Sequence, residues 1–126
     1  MAQVDWKALN EVLHGSHDID SAWVFGSSQD GIVDAGRDLD IGILFTKKPT
    51  LDSLSELRAS LQSAIKIDNI DLVPLNDASP ILRFEVISGR RLFCRDKSRY
   101  AGHVSLWARE YEDEMAMIEK SINSNK

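Results

Sequence analysis

Apolar residues in this chain recur with two periods, and the changes of period mark its elements. Trp6, Leu9, Val12 and Leu13 fall near one face of a short helix over residues 5–14, with Asp5 placed to cap its start and Gly15-Ser16 to end it. Ser21-Ala22-Trp23-Val24-Phe25 predicts a first strand buried on most sides. Over residues 38–45 the period becomes two: Leu39, Ile41, Ile43 and Phe45 face a core, while Asp38, Asp40, Gly42 and Leu44 line the other face. After Lys47-Lys48-Pro49 the helical period returns at Leu51, Leu54, Leu57, Leu61 and Ile65, predicting a packing helix at about 51–65. Residues 67–74 read as a third strand ended by Pro74, and Leu92-Phe93 as a short edge element. Between them Ser79 and Pro80 supply the N-cap and first turn of a helix that Gly89 stops. A last helix over about 96–122 carries Tyr100, Val104, Trp107, Tyr111, Met115, Ile118 and Ile122 as a heptad-like stripe. Its length of ~40 Å exceeds what a small domain needs, so part of it should project or dock.

Composition narrows the class. The 126 residues fit one domain, with a core over about 1–95 and the final helix at 96–122. A net charge of −5 argues against avid nonspecific binding to nucleic acid, which rests on basic surface. No run approaches the ~18 apolar residues of a membrane span, and the N-terminus lacks a signal peptide's apolar core. The single cysteine, Cys94, cannot form an internal disulfide, and in Leu92-Phe93-Cys94 it reads as a buried inert thiol; a cytoplasmic location fits best. Glu110, Glu112, Asp113 and Glu114 make the middle of the last helix acidic, either a solvated face or a surface for a basic partner.

The chemistry lies in FGSSQDGIVDAGRDLDIGILF, where Gly26-Ser27 is followed, ten residues later, by Asp38-Leu39-Asp40. Residues two apart on a strand project together, so the two carboxylates repel each other unless cations bridge them, and oxygen ligands of this kind suit Mg2+. Gly26 and Ser27 offer backbone N–H groups and a hydroxyl to phosphate oxygens. Gly42, on the carboxylate face, leaves room either for a ligand or for a crossing helix. Asp71, amid Ile70, Leu72 and Val73, is costly unless paired or bound to metal. His14 and His17, beside Asp18 and Asp20, read as a helix end and polar loop. Lys47 and Lys48 read as a solvated turn, Arg83 as a surface ion pair, and His103 as a surface or packed residue.

The Gly-Ser, ten-residue, Asp-x-Asp spacing resembles that of the DNA polymerase β-like nucleotidyltransferases. The short length and the run SPILRFEVISGRRLF are similar to the minimal nucleotidyltransferase (MNT) antitoxins that accompany HEPN-type toxins. The resemblance implies an α/β (α+β) fold, a small mixed sheet flanked by helices. It also implies transfer of AMP from Mg-ATP to a tyrosine hydroxyl of a cognate HEPN ribonuclease toxin, which silences it. Gly26 and Ser27 would hold the triphosphate, Asp38 and Asp40 a pair of Mg2+ ions. Asp71 matches the family's third aspartate, with Asp68 the competitor; it would complete one metal site and help deprotonate the acceptor. The chain departs from many relatives in having Gln29-Asp30-Gly31 where they have Ala-Arg-Gly, which removes a cation that could face phosphate. Arg37 could compensate, though sequence does not aim it. Two other functions compete: stoichiometric neutralisation of the toxin through the long helix with a vestigial site, and modification of a small molecule such as an aminoglycoside. The second lacks the extra domain that cradles a drug.

Overall fold

A computed structural model describes residues 1–124. In chain order it contains β1 (Ala2–Gln3), α1 (Trp6–Gly15), β2 (Ile19–Phe25), a single 3-10 turn (Gly26–Ser28), β3 (Ile32–Val33), β4 (Leu39–Phe45), α2 (Leu51–Ile65), β5 (Ile70–Pro74), α3 (Pro80–Ile87), β6 (Arg90–Cys94) and α4 (Lys97–Ser124). The main sheet has the order β5-β4-β2-β6. β4 and β5 are parallel, joined across α2, and the other pairs are antiparallel, so the sheet is mixed. Among the described residues no helix is long and apolar enough to cross a membrane.

Helix ends form where the sequence places caps. Asp5 accepts from the Ala8 N–H at 3.1 Å, Ser79 from that of Leu82 at 3.2 Å, and Thr50 and Ser53 form a reciprocal capping box. The period of two along β4 then separates two cores. Leu39, Ile41, Ile43 and Phe45 pack with Leu9 and Leu13 of α1 and Leu57, Leu61 and Ile65 of α2. Leu44 faces the other way and joins Trp23, Phe25, Leu75, Val86 and Trp107 beneath α3 and α4. The carboxylate face of β4 is therefore apolar and covered at one end and acidic at the other.

Several boundaries differ from the sequence reading. The third strand begins at Ile70 rather than residue 67, because Lys66 turns the chain in the left-handed region (φ 57°) and the Ile70 N–H bonds to the Asp68 carbonyl. β6 is longer than Leu92-Phe93 because it pairs along β2. The loop after Gly26 contains β3, which pairs with β1 in a separate two-stranded sheet, a long-range pairing that local pattern does not signal.

Asp20 also departs from the polar loop expected of it. It is 7% exposed in β2 and accepts from Arg99 of α4 at 3.0 Å, with His103 Nδ1 at 4.0 Å. Arg83 is a half-buried clip rather than a surface residue. It donates to the carbonyls of Leu75 and Asn76, reaches Glu110 at 3.6 Å and lies over the Trp107 ring. Cys94 is half-buried, and Lys48 pairs with Asp77 in solvent at 2.9 Å.

Candidate active site

The residues in question meet where β2, β4 and β5 present one end of the sheet. Phe25 of β2 stands opposite Asp40 of β4, and Asp40 stands opposite Asp71 of β5 in the parallel pair. Side chains in register across a sheet share a face, so Asp71 joins Asp40, while Asp68 lies in the preceding turn. Asp38 is the exposed residue immediately before β4, two positions from Asp40 and on the same side.

Gly26 begins the turn out of β2 with φ +76°, a conformation glycine adopts without strain. A Cβ there would lie 2.5 Å from Asp40 Oδ2, so the missing side chain is what lets this backbone close on the carboxylate. The next two serines divide the work. Ser27 is exposed and lines a cleft of about 490 Å³ with Ala35, Gly36, Arg37, Asp38 and Asp40. Ser28 is buried and donates to the Asp38 carbonyl at 3.3 Å, fixing the turn to the start of β4.

Gly42 resolves toward packing rather than ligand access. A Cβ at Gly42 would meet Val86 Cγ1 at 2.5 Å, so α3 crosses the sheet at this notch, two residues beyond Asp40. That crossing brings in a carboxylate that the helical pattern does not single out: Glu85 of α3, exposed, whose charge is felt at Asp40. No spacing rule signals Glu85, since its position depends on where the helix lands.

Burial, followed by the charges of Asp71, Asp38 and Glu85, holds the Asp40 carboxyl above the usual aspartate range. Accumulated negative charge of this kind is relieved by a hard divalent cation, and the donor set is all carboxylate oxygen. Among the described residues, no three His, Cys, Asp or Glu side chains form a ready-made cage for an ion. Carboxylate oxygens are the donor type that Mg2+ takes, commonly one or two of them together with substrate phosphates.

Residues 7–98 match the protein family described as Polymerase beta, Nucleotidyltransferase. Among solved structures, the fold is similar to a chain of a toxin–antitoxin complex with AMP-PNP (21% identity, TM-score 0.77, covering 96% of this chain and 98% of that one). It is similar to a chain of an MntA–HepT toxin–antitoxin complex (21% identity, TM-score 0.70, covering 94% of each). A third likeness is to a chain of the complex of a tri-AMPylated Shewanella oneidensis HEPN toxin with MNT antitoxin (22% identity, TM-score 0.67, covering 94% of this chain and 89% of that one). At these identities the likeness is one of fold. No curated protein sequence matches the chain.

Proposed function

The chain belongs to the polymerase beta nucleotidyltransferase family, and from that we propose that it is an antitoxin-type protein adenylyltransferase. It moves AMP from Mg-ATP to a tyrosine hydroxyl of a cognate HEPN-type toxin. The observation that carries this reading is the register that sets Asp71 beside Asp40, with the Gly26 backbone closed against Asp40 and Ser27 lining the same cleft. It is further supported by the company of the similar folds, one a complex with AMP-PNP and one a complex containing an AMPylated HEPN toxin.

Asp38, Asp40 and Asp71 would hold the divalent ions, which, when bound, neutralise charge on the attacking and leaving oxygens of an in-line displacement. Gly26 and Ser27 orient the triphosphate through backbone N–H groups and the Ser27 hydroxyl. Asp71 lies on an edge strand and is exposed, so an acceptor hydroxyl can approach it and pass its proton to a carboxylate oxygen.

The test incubates the chain with its HEPN partner, ATP and Mg2+ and weighs the partner by mass spectrometry. One or more added adenylate units are expected with the wild type, and none with Asp38→Asn or Asp40→Asn at unchanged folding. Full transfer by both variants overturns the reading. The exposed far half of α4 favours one second reading, a stoichiometric docking protein with a vestigial site: Met115, Met117 and Ile122 are 38%, 67% and 60% exposed. An Asp38→Asn/Asp40→Asn variant that still neutralises the toxin supports that alternative.

A further inference from the structure

We propose that Arg37 is the phosphate arm of this site, holding the β- and γ-phosphates of the incoming nucleotide. The inference deepens the nucleotide-transfer reading and rests on it. Of the residues lining the cleft that contains Ser27, Asp38 and Asp40, Arg37 is the one cation. The turn that carries it is set by the backbone: Gly36 adopts φ +80°, and the Arg37 N–H bonds to the Asp34 carbonyl at 3.0 Å. This places Arg37 at the rim of the cleft, one residue before the first aspartate, where it also borders the neighbouring hollow that holds Asp34 and Asp68.

Its side chain is exposed and, among the described residues, makes no hydrogen bond, ion pair or ring contact. Arg83, Arg90, Arg91, Arg95 and Arg99 each pack on a ring or bond to carbonyl or carboxylate oxygens, and Arg58 and Arg109, which like Arg37 do neither, do not line this cleft. An exposed guanidinium with no partner in the protein, at the rim of the cleft, is free to take an anionic group of a ligand bound there. A triphosphate fits, because its distal phosphates carry most of its charge and the planar fork of arginine matches two phosphate oxygens at once.

In the transfer, the acceptor oxygen bonds to the α-phosphorus as the bond from that phosphorus to the bridging oxygen breaks. The electron pair leaves on pyrophosphate, and the acceptor proton passes to Asp71. Arg37 offsets the charge that gathers on the leaving pyrophosphate. It thereby supplies the cation that is missing where Gln29-Asp30-Gly31 replaces Ala-Arg-Gly.

The test is binding, measured by calorimetry for AMP-PNP with Mg2+ and by NMR titration for AMP. Arg37→Ala should weaken AMP-PNP roughly ten- to a hundredfold and leave AMP unchanged, since AMP lacks the phosphates concerned. Arg37→Lys, which keeps the charge and loses the fork, should fall between. Lys47→Ala, at the opposite end of β4, should bind as the wild type does. Arg37→Ala binding AMP-PNP as tightly as the wild type, or losing AMP equally, overturns the inference and leaves the transfer reading standing. A wild type that binds no Mg–AMP-PNP removes both. Because Arg37 is exposed and unpartnered, all variants should melt with the wild type, which circular dichroism verifies.

Discussion

Asp40 shows how the site opposes the stability of the fold. Burial and three neighbouring carboxylates make its ionised form costly, so the folded chain holds this proton more tightly than the unfolded chain does. The contribution to pH dependence follows in sign. Below the ordinary value of 3.8 both states are protonated and there is no penalty; as pH rises through the raised folded value, the folded state loses relative stability. In metal-free protein, Asp40→Asn should therefore raise the melting temperature at pH 7, with the gain fading below about pH 4. Melts in EDTA across that range check it, and a variant less stable than wild type at pH 7 counts against it. The same substitution is expected to abolish transfer, so stability and activity move in opposite directions. The placement of Asp38 and Asp40 on one side of a strand, and of Gly26 and Ser27 in the turn before it, is legible in the sequence because a strand's period of two and a glycine-serine turn are local properties. Asp71 needed the parallel register as well, and Ser28 and Glu85 were hidden because their contacts come from distant parts of the chain.

Among the elements, α3 is the one whose seating decides the shape of the site. Val86 occupies the notch at Gly42, and the crossing brings Glu85 to the acidic end of β4. Gly42→Ala would drive a Cβ to 2.5 Å from Val86 Cγ1, forcing helix and strand apart. We expect a loss of about 1–3 kcal/mol in denaturant unfolding, partly recovered by adding Val86→Ala, which removes the clashing methyls. Equal losses in the single and double variants would show that the notch is not the cause. Sequence located the helices well, since caps and apolar stripes lie within each segment. It could not choose between ligand room and helix crossing at Gly42, because that depends on which element passes overhead. The last helix divides similarly: Tyr100, Val104 and Trp107 pack against the second core and Tyr111 stacks on Phe84 at 4.0 Å, whereas Met115 and Ile122, on the same stripe, are exposed.

For the molecule as a whole, a mixed sheet between two helical layers holds an acidic site at one end, and the net charge of −5 adds to its need for cations. Ligand and fold are then linked. Mg2+ with AMP-PNP at about a hundred times the dissociation constant should add ~2.7 kcal/mol, or about 10 °C in melting temperature for a chain of this size. Neither Mg2+ nor the nucleotide alone should match this, and the Asp38→Asn/Asp40→Asn variant should lose it; an unchanged melt with both ligands present contradicts the site. The aromatic arrangement has a practical consequence. Two of the chain's three tryptophans, Trp23 and Trp107, are buried 5.9 Å apart in the second core, with Tyr100 stacked on Trp23 at 5.6 Å. Two of these three rings ride on α4 and the other on the strand that leads into Gly26. The native protein thus carries its own optical gauge: any event that lifts the long helix wets the indoles and shifts their emission to the red, with no dye attached.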